Sequence, residues 1–128
     1  MTLRAPITAA LLIAAVLAPA AALAQPRLVA ATPAANAAVA RTASVTLNFS
    51  ERLAPGQSSA TLVMTGMPGM ANHPDMKMPG VTTRMSKDGK ALLLTSAKPI
   101  PIGTYRVDYV VVGADRQRIA GKHIFSIK

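Results

Sequence analysis

The strongest structural signal in this 128-residue chain is the run Gly103-Thr-Tyr-Arg-Val-Asp-Tyr-Val-Val-Val112. Its aromatic and β-branched residues are typical of β-strands. Apolar side chains recur there at every second position, at Tyr105, Val107, Tyr109 and Val111. Period-two alternation places these side chains on one face of an extended chain, so the run predicts the longest strand of a sheet with one buried face.

Shorter runs of the same kind lie on both sides, separated by turns that contain Pro or Gly. The clearest alternates at Val45, Leu47 and Phe49, and Asp88-Gly89 is a hairpin signal between two others. Predicted strands cover residues 27–31, 44–50, 59–64, 81–85, 91–95, 103–112 and 122–128, and the alanine-rich segment 34–43 is expected to be a loop. Seven short strands without a convincing helix predict an all-β fold, a sandwich or a Greek-key barrel.

Three residues carry more specific structural expectations. The segment Pro101-Ile-Gly-Thr-Tyr105 is similar to the tyrosine corner of immunoglobulin-like sandwiches, although an ordinary core tyrosine would give the same pattern. His123 lies in phase with the apolar face of the last predicted strand, which favours a packed histidine over a metal ligand. Glu51 is expected to pair with a basic residue at a strand end, such as Arg52 or Arg106.

The N-terminus has the features of a secretory signal peptide. Arg4 supplies the positive charge, residues 7–16 form an apolar run, and Ala22-Leu-Ala24 is a small-residue cleavage box. We expect cleavage after Ala24, which divides the chain into a signal peptide (1–24) and one exported domain (25–128). A transmembrane anchor is the alternative, but the alanine-rich run ends in that box and is interrupted by proline.

Charge and composition exclude several function classes. One of the 14 Lys and Arg residues lies in the signal peptide. The remaining 13, against 5 Asp and Glu, give the mature chain a net charge of +8. The basic residues are scattered, without the aromatic-interleaved stripe of a nucleic-acid surface. The chain has no cysteine, so it has neither a disulfide nor a thiolate. The acidic residues form no pair at a recognisable catalytic spacing, so we do not expect an enzyme.

Five of the seven methionines fall within fifteen residues, together with one of the two histidines. The run reads Met64-Thr-Gly-Met67-Pro-Gly-Met70-Ala-Asn-His73-Pro-Asp-Met76-Lys-Met78. Thioethers are soft donors that bind Cu(I) or Ag(I) well and hard ions poorly. Because Pro and Gly prevent a regular helix or a long strand there, these methionines are poorly placed as core filler. The run therefore predicts a Cu(I) site, in which Ag(I) could take the place of copper and His73 adds a nitrogen ligand.

The alternative for this run is packing. Met64 ends a predicted strand and could lie in the core, while the other methionines could form an adaptable surface for a protein partner. Met85, the remaining internal methionine, is expected to pack along its strand.

Six segments of the chain form a recognisable pattern: Pro26-Arg-Leu-Val, Thr32-Pro33, Val45-Thr-Leu-Asn-Phe-Ser-Glu51, Leu62-Val-Met-Thr-Gly-Met-Pro-Gly-Met70, Gly103-Thr-Tyr-Arg-Val-Asp-Tyr109 and Ile119-Ala-Gly-Lys-His-Ile-Phe125. Together they resemble the CopC-type periplasmic copper-resistance proteins. The resemblance implies a seven-stranded Greek-key β-barrel or sandwich of immunoglobulin-like (cupredoxin-like) character that binds copper without turnover. It also implies a periplasmic location.

The resemblance implies a Cu(I) site at Met64, Met67, Met70, His73 and Met76. Met78 is an additional thioether that could exchange with its neighbours. One departure is that the spacing between Met70 and His73 is one residue longer than in the related pattern.

The resemblance also implies a Cu(II) site made of the mature N-terminal amine, a first-position histidine and an Asp-x-His pair. The corresponding residues here are Gln25 and Asp115-Arg116-Gln117, so both imidazoles are missing. Cu(II) prefers nitrogen and oxygen ligands in a tetragonal arrangement, and a lone carboxylate beside Arg116 and Arg118 does not supply one. We therefore expect that the Cu(II) site is absent.

The expected protein is a monomeric periplasmic copper carrier or buffer that serves copper resistance or homeostasis. Its expected recipients are a CopD-like membrane copper transporter or a multicopper oxidase, and no nucleic acid. The alternative is a CopC-like scaffold whose methionine-rich loop is a protein-interaction surface without physiological metal binding.

Overall fold

The computed structural model describes residues 25–70 and 73–128, and the predicted signal peptide lies outside the described residues. Nine strands follow one another: β1 (Leu28–Thr32), β2 (Ala38–Val39), β3 (Ser44–Phe49), β4 (Ser59–Gly66), β5 (Met76–Lys77), β6 (Val81–Met85), β7 (Ala91–Ser96), β8 (Gly103–Val112) and β9 (Arg118–Ile127). Within these described ranges, no helix is long and apolar enough to cross a membrane.

All seven predicted strands are present, and β6 and β8 have the predicted bounds. Two differences have a tertiary cause. Part of the predicted loop 34–43 forms β2, because Ala38 and Val39 add in parallel to the free edge of β9. Strand β9 also begins at Arg118 rather than at residue 122, because the earlier residues continue the pairing with β8 as far as Val112.

The strands form two sheets, ordered β1-β3-β7-β6 and β2-β9-β8-β4-β5. The first order matches strands A, B, E and D of an immunoglobulin domain, and β9-β8-β4 matches strands G, F and C. The expected all-β, immunoglobulin-like arrangement of seven strands is therefore confirmed, with β2 and β5 as two-residue additions at the edges of the second sheet.

The core lies between the sheets and follows the period-two pattern. Val45, Leu47 and Phe49 of β3 are buried, as are Val107 and Val111 of β8. The two sheets also meet through aromatic rings: Phe49 contacts Tyr109 edge-on, with ring centroids 5.3 Å apart.

Tyr105 forms the expected tyrosine corner. Its side chain is completely buried and stacks on Phe125, and its hydroxyl donates a hydrogen bond of 2.6 Å to the carbonyl oxygen of Pro101. This bond ties the loop before β8 to the strand itself. His123 packs as expected: it is 3% exposed, and its Nε2 lies 2.8 Å from the carbonyl oxygen of Pro33.

Replacing Tyr105 by Phe should lower the free energy of unfolding by about 1–2 kcal/mol, because the variant loses the hydrogen bond that the buried tyrosine side chain donates to the Pro101 carbonyl. Tyr109→Phe is the matched control, since the hydroxyl of Tyr109 has no hydrogen-bond partner among the described residues. Urea unfolding of both variants checks this, and equal losses of stability would contradict a specific role for the corner.

At Gly66 and Gly103 the backbones of β4 and β8 lie too close for a side chain on residue 103. A Cβ atom on Gly103 would lie 2.7 Å from the carbonyl oxygen of Gly66, which is a backbone atom and cannot move aside alone. A Cβ atom on Gly66 would meet only ordinary contacts, with Thr104 Cβ at 3.6 Å. Glycine is therefore required at 103 to hold the two strands together at this end of the sandwich.

Gly103→Ala should destabilise the fold by about 1–3 kcal/mol, the usual cost of overpacking. Gly66→Ala, at the residue whose carbonyl oxygen Gly103 approaches, should be clearly milder. Thermal unfolding of the two variants compares them directly, and a Gly66→Ala variant that is the less stable of the pair would refute this account of the close approach.

Candidate metal centre

The methionine-rich segment 64–78, called here the methionine hairpin, leaves the end of β4 and returns beside it. Its tip is the turn Met67-Pro-Gly-Met70, in which the amide of Met70 donates to the carbonyl oxygen of Met67 at 3.1 Å. Gly69 has a φ of 79°, a left-handed conformation that suits glycine. Proline followed by glycine with positive φ is the signature of a type II β-turn.

This turn brings two predicted ligands together. Met67 and Met70 oppose each other in an antiparallel bridge, so their side chains lie on the same side of the tip. They are 42% and 52% exposed. The tip therefore presents two soft sulfur donors to solvent rather than to the core.

The returning limb contains β5, which pairs with the end of β4. Met76 lies opposite Met64, and the amide of Met78 donates to the carbonyl oxygen of Leu62 at 2.9 Å. Because residues opposite each other in a ladder share a face, Met76 and Met64 point to the same side of the sheet. Met76 is 46% exposed at the sheet edge.

Two of the predicted ligands contact the core. Met64 is 3% exposed and belongs to the central apolar cluster, and Met78 is half-buried and packs against that cluster. Met64 is therefore packed in the core, as the alternative interpretation of the sequence allows, and its thioether lies beside the start of β8. Met85 also packs against the core, as expected.

His73 lies at the start of the returning limb and is half-buried. Its Nδ1 atom is inaccessible to solvent and has no hydrogen-bond partner among the described residues. An unpaired buried nitrogen costs free energy, and such an atom calls for an explanation. In the neutral tautomer that carries its proton on Nε2, this nitrogen has a lone pair that can bind a metal ion.

The donor set of the hairpin suits a soft monovalent ion. It offers exposed thioethers at Met67, Met70 and Met76 and one imidazole at His73. Thioether and imidazole ligands are compatible with Cu(I), whereas Mg²⁺, Ca²⁺ and Mn²⁺ prefer oxygen. The orphaned nitrogen and the exposed sulfurs therefore fit the predicted ion.

The residues named for a second copper site do lie together. The side-chain amide of Gln25 donates to Oε1 of Gln117, and the backbone amide of Gln117 donates to Oδ1 of Asp115 at 3.0 Å. Two amide side chains occupy the positions where the related pattern has histidines. Within residues 25–70 and 73–128, no group of three or more His, Cys, Asp or Glu side chains could hold a metal ion.

The hairpin is also joined to the sheet by an arginine whose role was not recognised in the sequence. Arg106 of β8 forms ion pairs with Asp75 of the hairpin at 3.0 Å and with Asp108 at 2.8 Å. Its expected pairing with Glu51 is wrong, because the guanidinium is engaged by these two carboxylates. The hydrogen bonds that Arg106 donates to Asp108 and, second, to Asp75 raise the pKa of Arg106. The pairing of Arg106 with Asp108 could have been predicted from the sequence, because residues two positions apart on a strand share a face. The pairing with Asp75 could not, because it depends on which strands are neighbours in the sheet.

Met64→Ala should lower the free energy of unfolding by about 2–5 kcal/mol, the usual cost of a Met-to-Ala truncation in a core. Met67→Ala, at the exposed tip, should change it by less than about 0.5 kcal/mol. Urea unfolding of the metal-free variants measures both, and equal effects would contradict the division of the methionines into core and tip.

The amino-acid sequence is similar to those of known proteins along the whole β-sandwich. The CopC domain family model matches residues 28–128. The chain is 43% identical to copper resistance protein C of Xanthomonas campestris pv. juglandis over 121 residues, 94% of each chain. It is 39% identical to copper resistance protein C of Escherichia coli over 107 residues, 84% of each chain.

A solved structure shares the architecture. The crystal structure of PcoC, a methionine-rich copper resistance protein from Escherichia coli, superimposes with a TM-score of 0.74 at 37% sequence identity. The match covers 82% of this chain and 100% of that one. The similarity therefore includes the overall β-sandwich architecture.

Proposed function

The chain belongs to the CopC family and has a role in copper resistance, and from this premise we propose that it carries or buffers copper as Cu(I) on its methionine hairpin. The observation that supports this most is the pairing of exposed Met67 and Met70 at a rigid turn, on the same hairpin as a histidine with an orphaned buried nitrogen. A chain that used methionine only to fill its core would have no reason to expose sulfur in this way.

The proposed ligands are His73 and about three thioethers. Met67, Met70 and Met76 are the first choices, because they are the exposed sulfurs of the hairpin. Met78 is half-buried and could exchange with one of them. Met64, which the sequence also named, is assigned to the wall of the site, because its side chain is part of the core.

The chemistry of these ligands suits a carrier. Thioethers and a neutral imidazole bring no charge, so the positive charge of Cu(I) stays uncompensated by its ligands. Affinity should then be moderate and the ion readily handed on, to a CopD-like membrane transporter or a multicopper oxidase. The methionines must remain reduced, because sulfoxide formation replaces the soft donor.

The proposed setting is the periplasm, reached through cleavage of the signal peptide after Ala24. We infer that the mature chain acts as a monomer and does not catalyse a reaction. We also infer that it has no functional Cu(II) site, because Gln25 and Gln117 hydrogen-bond to each other at that end of the sandwich. Amide side chains are weaker donors for Cu(II) than the imidazoles of the related pattern.

Titration of the mature protein with Cu(I) under anaerobic conditions, against a chromophoric competitor, tests the proposal. We expect one Cu(I) per chain and no tight Cu(II) in a parallel aerobic titration. His73→Leu and the double variant Met67→Leu/Met70→Leu should each weaken Cu(I) binding by about tenfold or more, since even a supporting residue of a metal site typically contributes about 10- to 100-fold.

Met85→Leu is the matched control, because Met85 lies on β6 outside the hairpin and should leave Cu(I) affinity unchanged. Unchanged affinity in both hairpin variants would reject the Cu(I) site and favour a protein-interaction surface instead. Tight Cu(II) binding would mean that Gln25 and Asp115 have been misread.

A further inference from the structure

Arg106 is the residue outside the methionine hairpin that contacts it most specifically. Its Nε and Nη2 atoms donate to the two carboxylate oxygens of Asp108, at 2.8 and 3.0 Å. Its Nη1 atom donates to Oδ2 of Asp75, at 3.0 Å. We propose that Arg106 is a positioning residue that holds the returning limb of the hairpin in the geometry that binds Cu(I), an inference that rests on the proposed function.

The register of the sheet explains why Arg106 can reach the hairpin. Arg106 lies opposite Val63 of β4, and Val63 lies opposite Lys77 of β5. All three side chains therefore share the outer face of the sheet, opposite to the face that carries Met64 and Met76. From there the guanidinium reaches across β4 to Asp75, one residue before β5 begins.

Asp108 makes this contact directional. A bidentate carboxylate fixes the plane of a guanidinium, because two parallel N–H···O bonds leave little freedom of rotation. Asp108 lies on the same strand as Arg106, two residues away, and both belong to the rigid ladder between β4 and β9. The direction of the remaining Nη1 donor is consequently fixed by Asp108 on β8, and Asp75 of the hairpin accepts from it.

Asp75 is well placed to transmit this constraint. It stands two residues after His73 and one before Met76, both proposed ligands. Of the described residues 73–75, Asp75 is the one with a side-chain hydrogen bond to the rest of the protein. Without that bond the limb would be held only from Met76 onward by its pairing with β4.

The expected effect is modest, because the pair is partly exposed: the side chain of Arg106 is 23% exposed and that of Asp75 is 54% exposed. Such pairs contribute little to global stability. A contact that holds the ligands in place before the ion binds instead raises affinity, because less conformational entropy is lost on binding. The effect should therefore appear in copper affinity and local mobility rather than in unfolding.

The experiment is a double-mutant cycle with Arg106→Gln, Asp75→Asn and both together, with Arg84→Gln as control. Arg84 is an exposed arginine on β6, in the other sheet. Each single variant should weaken Cu(I) binding about three- to five-fold, in the range of exposed ion pairs, and the double variant no further. The control should be unchanged, and all four urea midpoints should agree with the parent protein.

NMR relaxation of the metal-free protein supplies a reading independent of copper. In Arg106→Gln the amide order parameters of His73 and Asp75 should fall toward about 0.6, while those of Met76, which pairs with β4, and of β8 stay near about 0.85. Unchanged order parameters would overturn the proposal. Additive losses of Cu(I) affinity would also overturn it, because they would mean that Asp75 acts on the ion directly and not through Arg106.

The two proposals fail in different ways. If the parent protein binds no Cu(I), the proposed function is rejected, and the relaxation data alone then decide whether Arg106 orders residues 73–75. If the parent binds Cu(I) and the Arg106→Gln variant binds it equally well, the function stands and the positioning role is rejected.

Discussion

Pairing of strand β8 on both edges is the constraint on which the rest of the structure depends. Its ladder with β9 extends from Gly103 to Val112, and β4 pairs along its other edge. Tyr105, Val107 and Val111 turn their side chains into the space between the sheets and are completely buried. The tyrosine corner then fixes where the strand begins, through the hydrogen bond to Pro101. The same strand thus sets the register of β4, from which the methionine hairpin extends.

The hairpin divides its methionines between two environments. Side chains near the ladder, at Met64 and Met78, pack against the core, whereas those at the tip and at the sheet edge are exposed. The division follows from register. Met64 lies in line with Tyr105 across the sheet, while Met67 and Met70 are beyond the last paired residue of β4 and are held by their own turn. The methionines beside the ladder therefore contribute to stability by packing, and the sulfur atoms at the tip are accessible to a ligand.

Two carboxylates in and beside the hairpin are paired with one arginine. Its single carboxylate, Asp75, is paired with Arg106, and Arg106 is oriented by Asp108. The proposed metal ligands are themselves uncharged, so a bound Cu(I) would remain a cation on a basic protein. This favours transfer of the ion to a recipient over permanent storage. Neutral soft ligands that are partly ordered before binding can combine selectivity with release.

Local pattern in the sequence determined the strands, the hairpin turns and the type of donor atom. Period-two alternation has a direct physical meaning at Val45, Leu47 and Phe49, and the Pro-Gly pair favours the type II turn found between Met67 and Met70. Only the tertiary structure decided which methionines are buried, because a thioether is equally suited to a core and to a soft metal. Likewise β2 exists only because β9 offers an open edge, and Arg106 contacts Asp75 only because β5, β4 and β8 lie side by side. Arg106 and Asp75 are 31 positions apart, and their contact requires β8, β4 and β5 to be neighbours in one sheet. The alternation within each strand shows which face is buried but does not show which strands are neighbours.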